Sequence, residues 1–336
     1  MTSGVQWVKK DAEKALDRLS TSIDASPYSS LVEVATAFRG GIAEINRAHD
    51  LPTLAIAFCI VHHEVLGEGL GILAEGVKKM DAPETDPEEA VQNLWPRVLE
   101  RWPDFGENVR ANVGLLHKPG GSVWPHMVLT TILGQDETVE RAYFSLFYSS
   151  VVRTWSVFEV AAGDLWETVL NVGFGQLGHG FLTRLGKTGG PWEGSAGKAG
   201  KSIPLSALAI VDYDIRNRLG PLMRSSKDFG SLAGIRKAYA DLFPRNTTIS
   251  QHLEKPEMRR FAETRNLIVH RGSKVDRQYR TSCGSTLEVG AKVRIDIRDW
   301  DEFAAVGVAT FHAMFNCACA YLGREAAEAP VAKAKD

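Results

Sequence analysis

The sequence predicts an all-α protein, and three observations carry that expectation. Apolar residues recur at three- and four-residue spacing over long stretches, most clearly from Asp136 to Leu170. Helix start and stop signals bracket further segments, such as Pro256 at one end and Gly272 at the other. Alternation of the kind a strand requires is confined to LEVGAKVRIDI, residues 287–297.

Helices are expected in order over 5–20, 28–49, 53–79 and 86–101, set apart by the turn signals SPYSS, HDLP and DAPETDPEE. Asp86 followed by Pro87 and Glu88 marks the start of the fourth. The stretch RWPDFGENVRANVGLLHKPGGSVWPH, rich in Pro, Gly and Trp, reads as irregular structure and places a domain boundary near residue 130. The strongest helix follows, 136–170, with Phe144, Phe147, Val151, Trp155, Phe158 and Leu165 on its apolar side. A Gly-rich connection from Gly173 to Lys201 leads to helices near 204–219, 230–243 and 256–270. The 287–297 segment is expected as a small β-hairpin, before a last helix over about 300–325 and a disordered tail at 331–336. The organisation expected is a helical N-terminal domain, 1–130, and a helical bundle, 131–330.

The chain has 336 residues, 44% of them apolar, enough for two domains with real cores. A net charge of −2 excludes a generally basic nucleic-acid coat and leaves room for a local patch. Cys59, Cys283, Cys317 and Cys319 form no CxxC pair, so free thiols in a reducing compartment are expected, with Cys317 and Cys319 packing on a helix. The N-terminus lacks an apolar signal core, and the most apolar run, Leu51–Val61, stops at His62, His63 and Glu64. A soluble, cytoplasmic protein without membrane association is the expectation.

The chemistry is concentrated in EKPEMRRFAETRNLIVHRGSKVDRQY, residues 254–279. Met258, Phe261, Ala262, Leu267, Ile268 and Val269 give this helix a buried side, and Gly272 closes it, so His270 falls in the last turn. Arg265 and His270 lie five residues apart, about 140° around the helix and roughly 7.5 Å along it. RNA transesterification needs a proton-transfer group and a cation for the charge that builds on phosphorus; a histidine and an arginine supply these without a metal. One histidine serves poorly as both acid and base, which makes a two-fold pairing of identical sites attractive.

The pattern Arg265, polar Asn266, then His270 resembles the R-x4-6-H motif of HEPN domains, helical bundles often found as ribonuclease toxins or antiviral effectors. RNLIVHRG followed by Asp276 and Tyr279, the GSTLEVGAKVRI segment and a closing helix resembles the C-terminal half of many HEPN proteins. WSVFE, ending at Phe158 and Glu159, resembles the first HEPN helix, in which an acidic residue often faces the motif arginine. The resemblance covers about residues 136–325. It implies a HEPN-like bundle acting as a metal-independent endoribonuclease that leaves 2′,3′-cyclic phosphate, with Arg265, His270 and Asn266 catalytic and Glu159 supporting. It implies no metal and no cofactor, RNA as substrate, a homodimer, and an antitoxin or other partner protein. One HEPN subfamily carries a modifiable tyrosine two places after the histidine; here Gly272 stands there, so that mode of control is not expected. The alternative is a non-catalytic HEPN-like module that binds RNA, a nucleotide or a protein.

Around the motif, residues 252–280 hold eight Lys and Arg against four Asp and Glu, so Arg259, Arg260, Arg271 and Lys274 are candidates for RNA phosphates. The plainer expectation is a solvated helix face for those four, an ion pair to Glu159 or Glu263 for Arg265, and a helix cap for His270. GFGQLG at 173–178 lacks the βαβ setting of a dinucleotide site, and GSAGKAGKS and GFLTRLGKT miss the first glycine of a phosphate loop by one place. His62, His63 and Glu64 lack the spacing of a metal site.

Overall fold

A computed structural model describes residues 10–49, 137–173, 208–209, 211–224, 226–244 and 246–328. These residues form an all-α structure: α1 (Lys10–Asp24), α2 (Ser29–Ala48), α3 (Glu137–Val172), α4 (Ile215–Arg224), α5 (Leu232–Leu242), α6 (Thr247–Leu253), α7 (Pro256–Arg271), α8 (Arg277–Cys283) and α9 (Ile297–Glu328). The expected helices at 53–79 and 86–101, the Gly-rich connection, Cys59, His62, His63, Glu64 and the 331–336 tail lie outside the described residues.

The chain divides into two compact units, Met1–Val8 with Asn46–Tyr143 and Lys9–Ile45 with Phe144–Asp336. The division differs from a single cut near residue 130, because the first two helices bury their apolar stripes in the second unit. Ala12, Leu19 and Ile23 of α1 and Leu31, Ala35, Phe38 and Ile42 of α2 are buried. Phe38 stacks on Phe311 of α9 with ring centroids 4.2 Å apart. Asp301 of α9 accepts hydrogen bonds from the Ala12 and Asp11 amides at 3.3 and 3.4 Å, satisfying donors that the first turn of α1 leaves open. Sequence periodicity detects such a stripe but not what covers it.

At the centre of this unit, α3 and α9 supply most of the bulky core. Trp155, Phe158 and Trp166 from α3 and Trp300, Phe303, Phe311 and Phe315 from α9 are all essentially inaccessible. Each such side chain contributes about 1.5–3 kcal/mol of burial free energy, which makes these two helices the framework on which the shorter ones sit. Two of the indoles place their donors: Trp300 Nε1 donates to Thr154 Oγ1 at 3.0 Å and Trp166 Nε1 to the Ala238 carbonyl at 3.0 Å. By length and composition Ile297–Gly323 would also suit a membrane span, with a mean hydropathy of 1.5, but its apolar side chains are the core just described.

Two expectations need correction. The 287–297 segment forms no hairpin: it lies antiparallel beside 273–275, with one isolated bridge between Lys274 and Lys292. Val275 N donates to the Ala291 carbonyl and Val293 N to the Ser273 carbonyl, both at 2.8 Å. The alternating Val293 and Ile295 do turn inward, so the period was real, but the partner is the loop after α7 rather than a second strand. The helix expected over 204–219 is interrupted: Leu208 and Ala209 are helical, Asp212 and Tyr213 take positive φ angles of 50° and 59°, and α4 starts at Ile215, while 204–207 lie outside the described residues. Two seven-residue helices, α6 and α8, were not expected. Each is started by a side-chain cap, Asn246 to the Ile249 amide and Asp276 to the Tyr279 amide.

Candidate functional site

Helix α7 forms as its sequence requires. Pro256 sits in the first turn, Asn-poor apolar positions Met258, Phe261, Ala262 and Leu267 are buried, and Gly272 ends the helix at φ 57°, with its amide donating to the Leu267 carbonyl. Thr264 is fully buried as well, and its hydroxyl lies 3.2 Å from that of Tyr279, which locks α8 onto α7.

Against α3, α7 is held by an aromatic contact one turn below the candidate site. Trp155 meets Phe261 edge-on, with centroids 5.2 Å apart. One turn further along each helix come Glu159 and Arg265, which therefore continue the same two stripes. Glu159 has its pKa raised, first by burial, while the Arg265 guanidinium and the Trp155 indole act to lower it and the Asp228 carboxylate adds to the rise. No Glu159–Arg265 ion pair within 4 Å forms; the coupling is through space. Gly230 packs beside both acids, since a Cβ there would stand 3.6 Å from Glu159 Oε1 and 3.4 Å from Asp228 Oδ1.

Arg265 itself is half-buried. Its Nη1 donates to Asn266 Oδ1 at 3.2 Å, and its Nε is buried with no hydrogen-bond partner. A buried guanidinium donor without a partner is costly, about 1–3 kcal/mol, and an acceptor reaches this one only after the side chain moves. Asn266 and His270 are exposed, and His270 has no hydrogen-bond partner among the described residues. The helix cap is made by Gly272, not by the imidazole. Arg265 and His270 thus share one helix and differ in environment: a half-buried cation coupled to Glu159, and an exposed imidazole at the helix end.

The four candidate phosphate contacts separate. Arg260 is committed inward: it pairs with Asp299 at 2.9 Å and Glu302 at 3.2 Å and stacks over Phe303 at 5.0 Å. It fastens α7 to α9. Arg271 pairs with Asp276 at 3.6 Å while staying exposed. Arg259 and Lys274 are exposed. Among the described residues no three His, Cys, Asp or Glu side chains gather as a metal site needs.

Sequence reasoning passed over a second group of polar residues, on α1, α6 and α9, which surround a cavity away from this motif. Its members are one turn apart on helices whose pairing only the tertiary structure creates, so no local pattern marks them. Compared with protein-family models, characterised proteins and solved structures, the chain matches none.

Proposed function

We propose that the second unit is a HEPN-type endoribonuclease that cleaves RNA without a metal, as a homodimer, in the manner of a toxin or antiviral effector of the cytoplasm. The observation that carries this reading is Arg265: a half-buried guanidinium with an unused Nε donor, five residues before a solvent-exposed imidazole on the same helix. In this reading Arg265 stabilises charge on the scissile phosphate, His270 transfers protons, and Asn266, already bonded to Arg265, orients the guanidinium. Glu159 keeps the arginine aimed through its field rather than by contact. Val160 and Val269, exposed valines adjacent in sequence to Glu159 and His270, offer apolar area for a second copy, whose own imidazole would supply the missing proton partner.

A second reading is favoured by one observation: the Glu159 carboxylate interacts with Arg265 and so competes with a phosphate for it. A module that binds RNA, a nucleotide or a protein without turnover would tolerate that competition better than a catalyst.

Incubation of the purified protein with total RNA in EDTA separates the two. The expected result is cleavage leaving cyclic phosphate ends, lost by at least about a hundredfold in Arg265→Ala and in His270→Ala with both variants still folded. Equal cleavage by wild type and variants would remove the proposal. RNA retention without cleavage supports the binding module.

A further inference from the structure

The cavity bounded by α1, α6 and α9 has a volume of about 420 Å³ and lies within the second unit. Its polar lining is Arg18, Asn246, His252, His312, Asn316 and Cys317, and three alanines form the rest of its wall together with Thr248. No Asp or Glu lines it. Arg18 has no carboxylate partner among the described residues, whereas Arg260, Arg224 and Arg153 each have one.

His312 and Asn246 are held in place, while Arg18 is exposed. His312 Nε2 lies 2.7 Å from Ser22 Oγ and 2.9 Å from Asn316 Nδ2, which ties the ring to both α1 and α9. Asn246 accepts from the Ile249 amide at 2.9 Å and donates to Cys317 Sγ at 2.8 Å, fixing the start of α6 against α9. His252 Nδ1 is buried and has no hydrogen-bond partner among the described residues. An arginine without a carboxylate partner, on a cavity lined by two histidines and two asparagines and by no acid, describes a site whose ligand brings acceptors and negative charge.

We propose that this cavity binds a small organic anion through a phosphate or carboxylate group, with Arg18 as the charge partner and His252 and His312 as hydrogen-bonding walls. The alanines accept an apolar portion of the ligand; the polar groups set its orientation. The site shares none of its residues with the Arg265 and His270 motif and stands or falls independently of the nuclease reading.

Protonation is coupled to this binding. His252 has its pKa lowered by burial, then by Lys255 and His312, and His312 by burial, then by Arg18. An anion placed among these cations favours the protonated rings, so affinity rises as pH falls.

Titration calorimetry on the full chain tests this with sulfate and with succinate, against sodium chloride at matched ionic strength. Sulfate stays a dianion between pH 8 and pH 6, so any change in its affinity comes from the protein. The expected result is saturable binding of sulfate, succinate or both, tighter at pH 6, weakened about tenfold or more in Arg18→Ala. His252→Gln should lose most of the pH dependence, and Arg153→Ala, an exposed arginine on α3, should bind as wild type. A response to sulfate alone assigns a tetrahedral anion and to succinate alone a carboxylate. Binding of neither probe, or undiminished binding by both Arg18→Ala and His252→Gln, overturns the proposal.

Discussion

Arg265 and Glu159 show how far a single pair was readable. Their types and the helices that bear them follow from WSVFE and RNLIVH, but the offset that leaves them coupled through space, with Asp228 nearby, depends on how α3 crosses α7. Removing the guanidinium should leave burial and Asp228 opposed only by the Trp155 indole, so Arg265→Ala is expected to raise the Glu159 pKa further; carboxyl carbon shifts followed against pH measure it, and a fall would contradict the arrangement. His252 and His312 make the complementary case. Both have folded pKa values below the ordinary 6.5, so the unfolded chain binds more protons in the window just below neutrality. Stability contributed here is complete above about pH 7 and is lost as pH falls through 6.5 towards the folded values. Denaturant midpoints should therefore drop between pH 7.5 and pH 5.5, with a shallower slope in the double variant His252→Gln with His312→Gln. Neither histidine is conspicuous in the sequence, because desolvation is a property of the packed unit.

Among the helices, those with long periodic patterns were legible: α3, α7 and α9 fall close to their expected bounds. Short helices were not, since seven residues span too few turns for periodicity to register, and their caps, Asn246 and Asp276, look like any loop residue. The end of α7 is a case in which one residue decides. Gly272 adopts φ 57°, and a Cβ there would meet nothing within 4 Å, so the cost of Gly272→Ala is conformational rather than steric. An effect of about 1 kcal/mol in urea unfolding is expected. Gly234 is the opposite: at the start of α5 an added Cβ would clash with the Asp228 carbonyl, so Gly234→Ala should cost more than Gly272→Ala in the same assay. The inverse ordering would mean that the loop at Asp228, next to Glu159, yields easily. Period-2 alternation at 287–297 was also a true signal with a wrong partner, because alternation reports which side is buried and not what is hydrogen-bonded.

For the whole molecule, the chief difference lies in which parts of the chain belong together. Helices α1 and α2 complete the second unit, through Phe38 on Phe311 and Asp301 on the first turn of α1. A fragment cut at the boundary legible in the sequence, residues 131–336, would expose the α9 surface that those helices cover. It is expected to lose the cooperative thermal transition of the full chain and to aggregate; an unaltered cooperative melt would show that α1 and α2 are dispensable. Sequence alone settled the helical class, the course of the principal helices and the placing of Arg265, Asn266 and His270 on one of them, because helix formation is written in local spacing and end signals. Only the tertiary structure decided that Arg260 turns inward, that α1 and α2 join the distant α9, and that Arg18, His252 and His312 line one cavity. Those relations join residues up to about 290 positions apart, and they are fixed by which apolar stripes cover one another, a matter that no local window contains.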